Sequence, residues 1–401
     1  MTRLYLLVLF GLIIRLVFIQ IPGFKVDVDA WAAWATRSYE LGFANFYSDQ
    51  IWTNYTPGYI YVLYLFGAIN KLFGLSMEIF YYLLKLPAIL SEIALAILVF
   101  KIVKEKTSIK LSLFAAGLIV FNPGFIFNSA VWGQIDGLLT LFMVLSIYYL
   151  NKNQLILSSI TFAIALLIKP QALFLAPAYI LFILKNFNLK NIIRLSIPGI
   201  FLAITASLPF FPNKPLTGLV ELIIKMANDY NATSLFAYNF WGVVGFWIDD
   251  SNNWYNLSYR QWSLIILGLY WVSIIFFYFK KSIDLYTLSA LALLSFYFLP
   301  TRVHERYLYP AIPFLIILFS FYKSKIILFL TIFLSLLHFV NLYFVYIYYN
   351  VLYLKIPIIL YLPNLFQIIE ENNKTLSLLS TLVFLIINYI ILKVEYAKKN
   401  S

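Results

Sequence analysis

Two aspartates separated by one residue, Asp27 and Asp29 in "KVDVDAWAAWA", stand just past the first apolar run of a chain otherwise poor in charge. Three more polar clusters sit at similar junctions: "WGQID" with Gln134 and Asp136, "KPQ" with Lys169 and Gln171, and "TRVHERY" with Arg302, His304, Glu305 and Arg306. Together they offer carboxylates, a lysine, a histidine and two arginines. That set suits a displacement at a sugar carbon with phosphate as the leaving group. A carboxylate takes the proton of the incoming hydroxyl, and cations stabilise the charge that grows on the departing phosphate. In an extended segment Asp27 and Asp29 would share a face; in a helix they point about 200° apart and only one addresses a given site. The bland alternatives are solvated loop acids and arginines or a lysine whose heads snorkel to the membrane surface.

The elements that hold these clusters must lie in lipid. Of 401 residues, 63% are hydrophobic and 11% charged, whereas a soluble globular domain carries about a quarter charged residues. Apolar runs recur from end to end at the length a helix needs to cross a core of about 30 Å. The expected fold is all-α, a polytopic transmembrane bundle of about 12–14 spans, forming one domain over residues 1–401. The first run, Leu4 to Ile21, lacks a small-residue cleavage site and reads as a retained span. With no cysteine in the chain, disulfides and thiolate metal sites are excluded.

Lys and Arg gather in short breaks: 101–110, 185–194, "KKS" at 280–282, "KSK" at 323–325 and the C-terminal "KVEYAKKNS". Most acids, Asp49 and Glu40 among them, lie in the intervening breaks. The positive-inside rule makes the basic breaks and both termini cytoplasmic and gathers the chemistry on the outer face. The net charge of +12 then reflects orientation, and nucleic acid is not an expected partner. One stretch resists this scheme: between Thr56 and Lys101 an odd number of crossings is needed, yet 57–74 and 79–100 read as two runs. The large outer segments are 22–56, 212–261 and 350–375. In the first, Trp31, Trp34, Tyr39 and Phe43 suit a helix lying in the membrane interface. Arg15 and Glu92, charged within spans, are an expected structural pair, and His338 is an expected packing residue.

"VDVDAWAAWA…NYTPGYIYVLYLFG", "NPGFIFNSAVWGQIDGLL", "LIKPQALFLAPAYIL" and "TRVHERYLYPAIPFL" resemble, in order and approximate spacing, the GT-C glycosyltransferases that use lipid-phosphate sugars. The similarity is to prokaryotic relatives of the second GPI-anchor mannosyltransferase and, more distantly, to the endoplasmic-reticulum glucosyltransferases acting on lipid-linked oligosaccharide. It implies an inverting transfer of a hexose, with mannose the first candidate, from a polyprenyl-phosphate donor to a glycan or glycolipid acceptor, in a cell membrane. It further implies a catalytic carboxylate at Asp27 or Asp29 and a donor-phosphate side at Lys169, Gln171, His304, Glu305 and Arg306, with Arg302 beside them. Gln134 and Asp136 replace a histidine-rich motif of the distant glucosyltransferases and are expected to orient a sugar. No cofactor is expected; a divalent metal held by the aspartate pair is the less favoured alternative, because protein cations suffice for a lipid monophosphate. A transporter or flippase of lipid-linked sugars is the rival reading; it would need polar groups along a midplane path.

Overall fold

The computed structural model describes residues 2–48, 51–281 and 283–398; Asp49, Ser282 and the last three residues of the basic tail lie outside them. Among the described residues the regular structure is helical, apart from a two-stranded hairpin of β1 (Asn253–Trp254) and β2 (Leu257–Ser258). Helix α1 (Thr2–Phe18) is followed by α2 (Lys25–Leu41), α3 (Pro57–Phe73), α4 (Met77–Lys104), α5 (Ile109–Val120), α6 (Pro123–Ile126), α7 (Asp136–Asn151), α8 (Leu155–Ile168) and α9 (Ala176–Lys185). Then come α10 (Leu189–Ser207), α11 (Pro215–Ala227), α12 (Phe240–Val244), α13 (Tyr259–Lys281), α14 (Leu285–Phe298), α15 (Ala311–Tyr322), α16 (Lys325–Ile347), α17 (Pro363–Glu371) and α18 (Asn373–Lys398). Two segments are π-helical, Phe127–Trp132 and Tyr348–Tyr353. Both lie beside the polar clusters.

Five helices are long and apolar enough to cross a membrane, α4, α10, α13, α16 with its π-helical end, and α18; α5 with the bent segment after it (42°) makes six. The remaining expected spans are realised as shorter apolar helices, because the polar clusters interrupt them. Asp136 opens α7, Lys169 closes α8, and α14 ends just before Pro300. The 14 residues of α8 rise about 21 Å, short of a bilayer core of about 30 Å. The helices are therefore cut where the site is built.

Of the two runs between Thr56 and Lys101, only α4 is long and apolar enough to cross a membrane. The second half of α4 runs antiparallel to α1: Phe100 packs on Leu4, Glu92 pairs with Arg15 at 2.7 Å, and Lys85 reaches the carbonyls of Ile19 and Ile21. The first turns of α4 extend past the end of α1 and meet α2, where the Tyr81 hydroxyl donates to Asp29. Helix α3 lies alongside α2, with Tyr59 against Trp31 and Gly67 so close to the Ala35 carbonyl that a Cβ would fall 2.2 Å from it. Thus α2, α3 and the start of α4 form one layer beyond α1. Gly74, left-handed at φ 58°, ends α3, and the Ser76 hydroxyl caps α4, which makes the tight connection.

Of the aromatic residues expected to face an interface, Tyr39 is exposed while the two tryptophans of α2 turn inward. Trp31 and Trp34 are buried against Tyr55, Tyr59 and Trp52, because they fasten α2 to its neighbours. The expected Arg15–Glu92 pair is present and fully buried; Glu92 also accepts from Ser129 and Tyr309 hydroxyls at 2.6 Å each, tying four parts of the bundle together. His338 packs beside Tyr309 and Gly124.

Candidate functional site

Asp27 falls in the first turn of α2. Asp27, Trp31 and Trp34 stand at i, i+4 and i+7, one stripe of a helix. The tryptophans face inward, so Asp27 does too. Its Oδ2 accepts the indole N–H of Trp132 at 2.8 Å and the Gln134 amide N–H at 2.6 Å. Asp29, two residues on, turns the other way: it is nearly half exposed and accepts from the Lys25 ammonium at 2.7 Å and the Tyr81 hydroxyl at 2.6 Å. The helix separates the pair: Asp27 joins the Trp132–Gln134 turn, and Asp29 lines a different surface cavity.

The "WGQID" turn leaves the π-helical segment through Gly133, which is left-handed at φ 95° and leaves no room for a side chain between Lys85 and Val28. Gln134 is fully buried. While its amide N–H holds Asp27, its Oε1 accepts from the Lys169 ammonium at 2.8 Å and the Tyr55 hydroxyl at 3.0 Å. Lys169 also donates to Asp136 Oδ1 at 2.7 Å, and Asn128 donates to the other oxygen at 3.1 Å. Asp27, Gln134, Lys169 and Asp136 therefore form one continuous chain, buried except at Asp27. A buried charge is tolerated when paired and hydrogen-bonded in this way.

Residues 301–304 are not helical, so Arg302 and Arg306 do not share a helix face. Arg302, left-handed at φ 66°, spends its guanidinium on Asp250 (2.7 and 3.1 Å) and Asn228. It staples the 212–261 segment to this arm while also lining the cavity that Lys169, His304 and Arg306 border. Arg306 sits in a short 3-10 turn, 10% exposed at its side chain; Nη1 donates to Glu305 at 2.8 Å and the buried Nε has no partner among the described residues. His304 Nδ1 is 3.6 Å from Glu305. Burial pushes the Glu305 pKa up, but Arg306 and His304 outweigh it and hold the carboxyl at about 2. Burial, then Arg306, pushes the His304 pKa below its ordinary value, so this imidazole is neutral at pH 7. Gln171 donates to the Tyr307 hydroxyl at 2.7 Å.

Lys169, Gln171, Arg302, His304 and Arg306 border a cavity of about 350 Å³; Asp27 reaches it through Gln134 and Lys169. Lys169, Gln171, His304, Arg306 and Tyr307 form its polar end; Ile223, Met226, Leu264 and Leu267 from α11 and α13 line its apolar side. Among the described residues no three His, Asp or Glu side chains converge as metal ligands.

Sequence reasoning missed the residues that aim Asp27. Asn350, in the second π-helical segment, is fully buried; its Oδ1 accepts the Lys25 backbone N–H and its amide donates to the Gly23 carbonyl, both at 3.0 Å. Phe24 N–H reaches the Trp132 carbonyl at 2.9 Å, and its ring stacks on Trp132. Buried Lys85 donates to the carbonyls of Ile19, Ile21 and Ala130. A lysine ahead of Pro87 inside an apolar run was a visible signal for Lys85. Asn350, amid tyrosines, carried none.

Residues 57–214 match the family model described as Dolichyl-phosphate-mannose-protein mannosyltransferase. Over 80 residues, 20% of the chain, the sequence is 31% identical to Dolichyl pyrophosphate Glc1Man9GlcNAc2 alpha-1,3-glucosyltransferase of Dictyostelium discoideum, and spans 13% of that protein. Among solved structures, the apo state of ArnT from Cupriavidus metallidurans is similar over 98% of this chain and 75% of that one, with TM-score 0.55 and 13% identity. The undecaprenyl-phosphate-bound form of the same ArnT covers 98% and 76%, with TM-score 0.49 and 13% identity. The sequence matches are partial, whereas the fold match to the apo form runs almost end to end.

Proposed function

We propose that this chain, whose fold is that of the GT-C membrane glycosyltransferases, transfers a hexose from a polyprenyl-phosphate donor to a hydroxyl acceptor with inversion at the anomeric carbon. One observation carries the reading. A carboxylate with one oxygen fixed by two N–H donors, Asp27, is joined through Gln134 to a lysine at the polar end of a cavity whose opposite side is aliphatic. A lipid phosphate needs both ends of such a cavity.

In this reading the acceptor hydroxyl gives its proton to Asp27 Oδ1 as its oxygen bonds to the anomeric carbon. The bond from that carbon to the phosphate oxygen breaks, and the electron pair leaves on the polyprenyl phosphate. Arg306, whose Nε is unpartnered, and Lys169 stabilise the added charge, an interaction stronger in the transition state than before it. Asp136 keeps Lys169 in place, neutral His304 donates a hydrogen bond to the phosphate or sugar, and the prenyl chain follows Leu264 and Leu267. The donor sugar is mannose in our reading, and the site faces the external side with both termini cytoplasmic. No metal takes part, because protein cations serve the phosphate.

The test is transfer by the purified protein from labelled polyprenyl-phosphate mannose and, in parallel, polyprenyl-phosphate glucose. Transfer from the first that disappears in Asp27→Asn supports the reading. Preference for glucose would change the sugar alone, and transfer from neither would remove the function.

A further inference from the structure

Helix α16 and its π-helical end carry two fully buried asparagines, Asn341 and Asn350, about two and a half turns apart. Asn350 grips the segment that leads into Asp27. Asn341 grips a different one: its Oδ1 accepts the Tyr238 backbone N–H at 3.1 Å, and its amide donates to the Phe236 carbonyl at 2.7 Å. An amide that meets one donor and one acceptor of the same turn fixes the orientation of that turn, and either backbone group would be costly to bury alone.

The same stripe of the helix holds the ring of Phe236. Phe344 and Tyr348 follow Asn341 at i+3 and i+7, on one helix face, and their ring centroids lie 5.8 and 5.4 Å from that of Phe236. Phe236 is in left-handed backbone at φ 65°, and a bulky residue keeps that conformation only where its surroundings over-determine it. Asn341, Phe344 and Tyr348 supply those surroundings.

On its other edge this segment runs along the arm that carries Arg306. Arg302 N–H donates to the Ala232 carbonyl and Leu235 N–H to the Val303 carbonyl, both at 2.9 Å. Leu235 and Phe236 each pair with His304 in an isolated β-bridge. The 3-10 turn Glu305–Leu308, which holds Arg306, starts at the next residue. The backbone of 232–236 is therefore the shelf on which the His304 and Arg306 end of the cavity rests, and Asn341 fastens that shelf to a long span.

We propose that Asn341 is a positioning residue for the phosphate pole of the reaction, acting through Phe236 and the His304 backbone on the His304 and Arg306 side chains. One helix then holds both poles, the base through Asn350 and the phosphate through Asn341, and its rigidity fixes the gap between them. The inference rests on the transferase reading of this site. Its signature follows from where each asparagine acts. A displaced base costs rate alone, whereas a displaced phosphate pole costs donor affinity as well, since the phosphate is held both before and during transfer.

The test is binding of undecaprenyl phosphate to the purified full chain, with transfer kinetics measured alongside. Asn341→Asp keeps the acceptor for Tyr238 and removes the donor to Phe236. It should weaken undecaprenyl phosphate at least about fivefold, whereas Asn350→Leu should leave it within about twofold. In a chain that already carries His304→Ala and Arg306→Ala, adding Asn341→Asp should change binding less than about twofold, because the groups it positions are gone. Asn341→Ala, which buries no charge, repeats the comparison if the aspartate variant fails to insert. An asparagine that only stabilised its turn would lower the melting temperature in Asn341→Ala and leave the affinity of the folded fraction unchanged. That result, or an equal loss with and without the His304 and Arg306 side chains, would overturn the proposal. Absence of undecaprenyl phosphate binding by the unaltered protein would remove the donor reading and this inference with it. Binding that depends on Asn341 without transfer from any polyprenyl-phosphate hexose would sink the transferase reading and leave the positioning role standing.

Discussion

One oxygen of Asp27 is committed to Trp132 and Gln134, which leaves Oδ1 to take a proton. Asp27→Asn should keep donor affinity while lowering turnover by about a hundredfold or more, the contribution of a positioned base. Asp29→Asn should change turnover less than about threefold, because Asp29 is occupied by Lys25 and Tyr81 on the opposite face; equal effects for the two would return both to solvated acids. Arg306 allows a second comparison. A guanidinium holds two phosphate oxygens at once, and an ammonium acts as a point charge. Arg306→Lys should therefore lose most of the transfer rate despite keeping its charge. A residue that merely anchored the chain at the membrane surface would tolerate the exchange, so a fully active lysine variant, with insertion verified, removes Arg306 from the site.

The elements around the site act through the short segment 22–25, gripped from both sides by π-helical turns. Asn350 holds its backbone at two points, and a displacement of about 1 Å at a reacting group can cost a hundredfold in rate. Asn350→Leu should thus lower kcat by about tenfold or more with the donor KM nearly unchanged; a proportional rise in KM would mean the cavity itself had moved. The 301–307 arm offers a pH measurement. Glu305 titrates at about 2 in the folded protein against an ordinary 4.5. The folded-state pKa is depressed, so its contribution to stability is complete above about pH 4.5 and is lost as pH falls from there toward 2. The melting-temperature difference between the unaltered protein and Glu305→Gln should be flat from pH 7 to 5 and shrink below 4.5. A difference that grows on acidification would contradict the ion pair with Arg306.

Across the whole molecule the charges are sorted by end. Lys152 pairs with Glu105 at 2.7 Å, Lys101 lies over Tyr148, Lys106 over Phe321, Lys185 over Tyr278 and Lys281 over Tyr396, so basic breaks far apart in sequence meet at one end of the bundle, opposite Asp27 and Arg306. With that end cytoplasmic, a reporter fused after Ser401 should behave as cytoplasmic and a tag between β1 and β2 as external; the reverse result would move the site to the other face. What the sequence determined by itself is what composition and periodicity encode: a helical membrane fold, long spans with boundaries close to those observed, the sorting of basic breaks from polar clusters, and the Arg15–Glu92 pair. It also brought Asp27, Gln134, Asp136, Lys169 and the His304–Arg306 run forward as chemistry-bearing residues. Which of Asp27 and Asp29 faces the Trp132–Gln134 turn was nearly legible, for once a helix begins at Lys25 the Asp27–Trp31–Trp34 stripe sets it. Only the tertiary structure placed α3 beside α2, turned Arg302 onto Asp250, and set Asn350 and Lys85 on backbone groups hundreds or tens of residues away. Those are long-range contacts between a side chain and a carbonyl or amide, and a backbone group carries no mark in the sequence of which side chain will meet it.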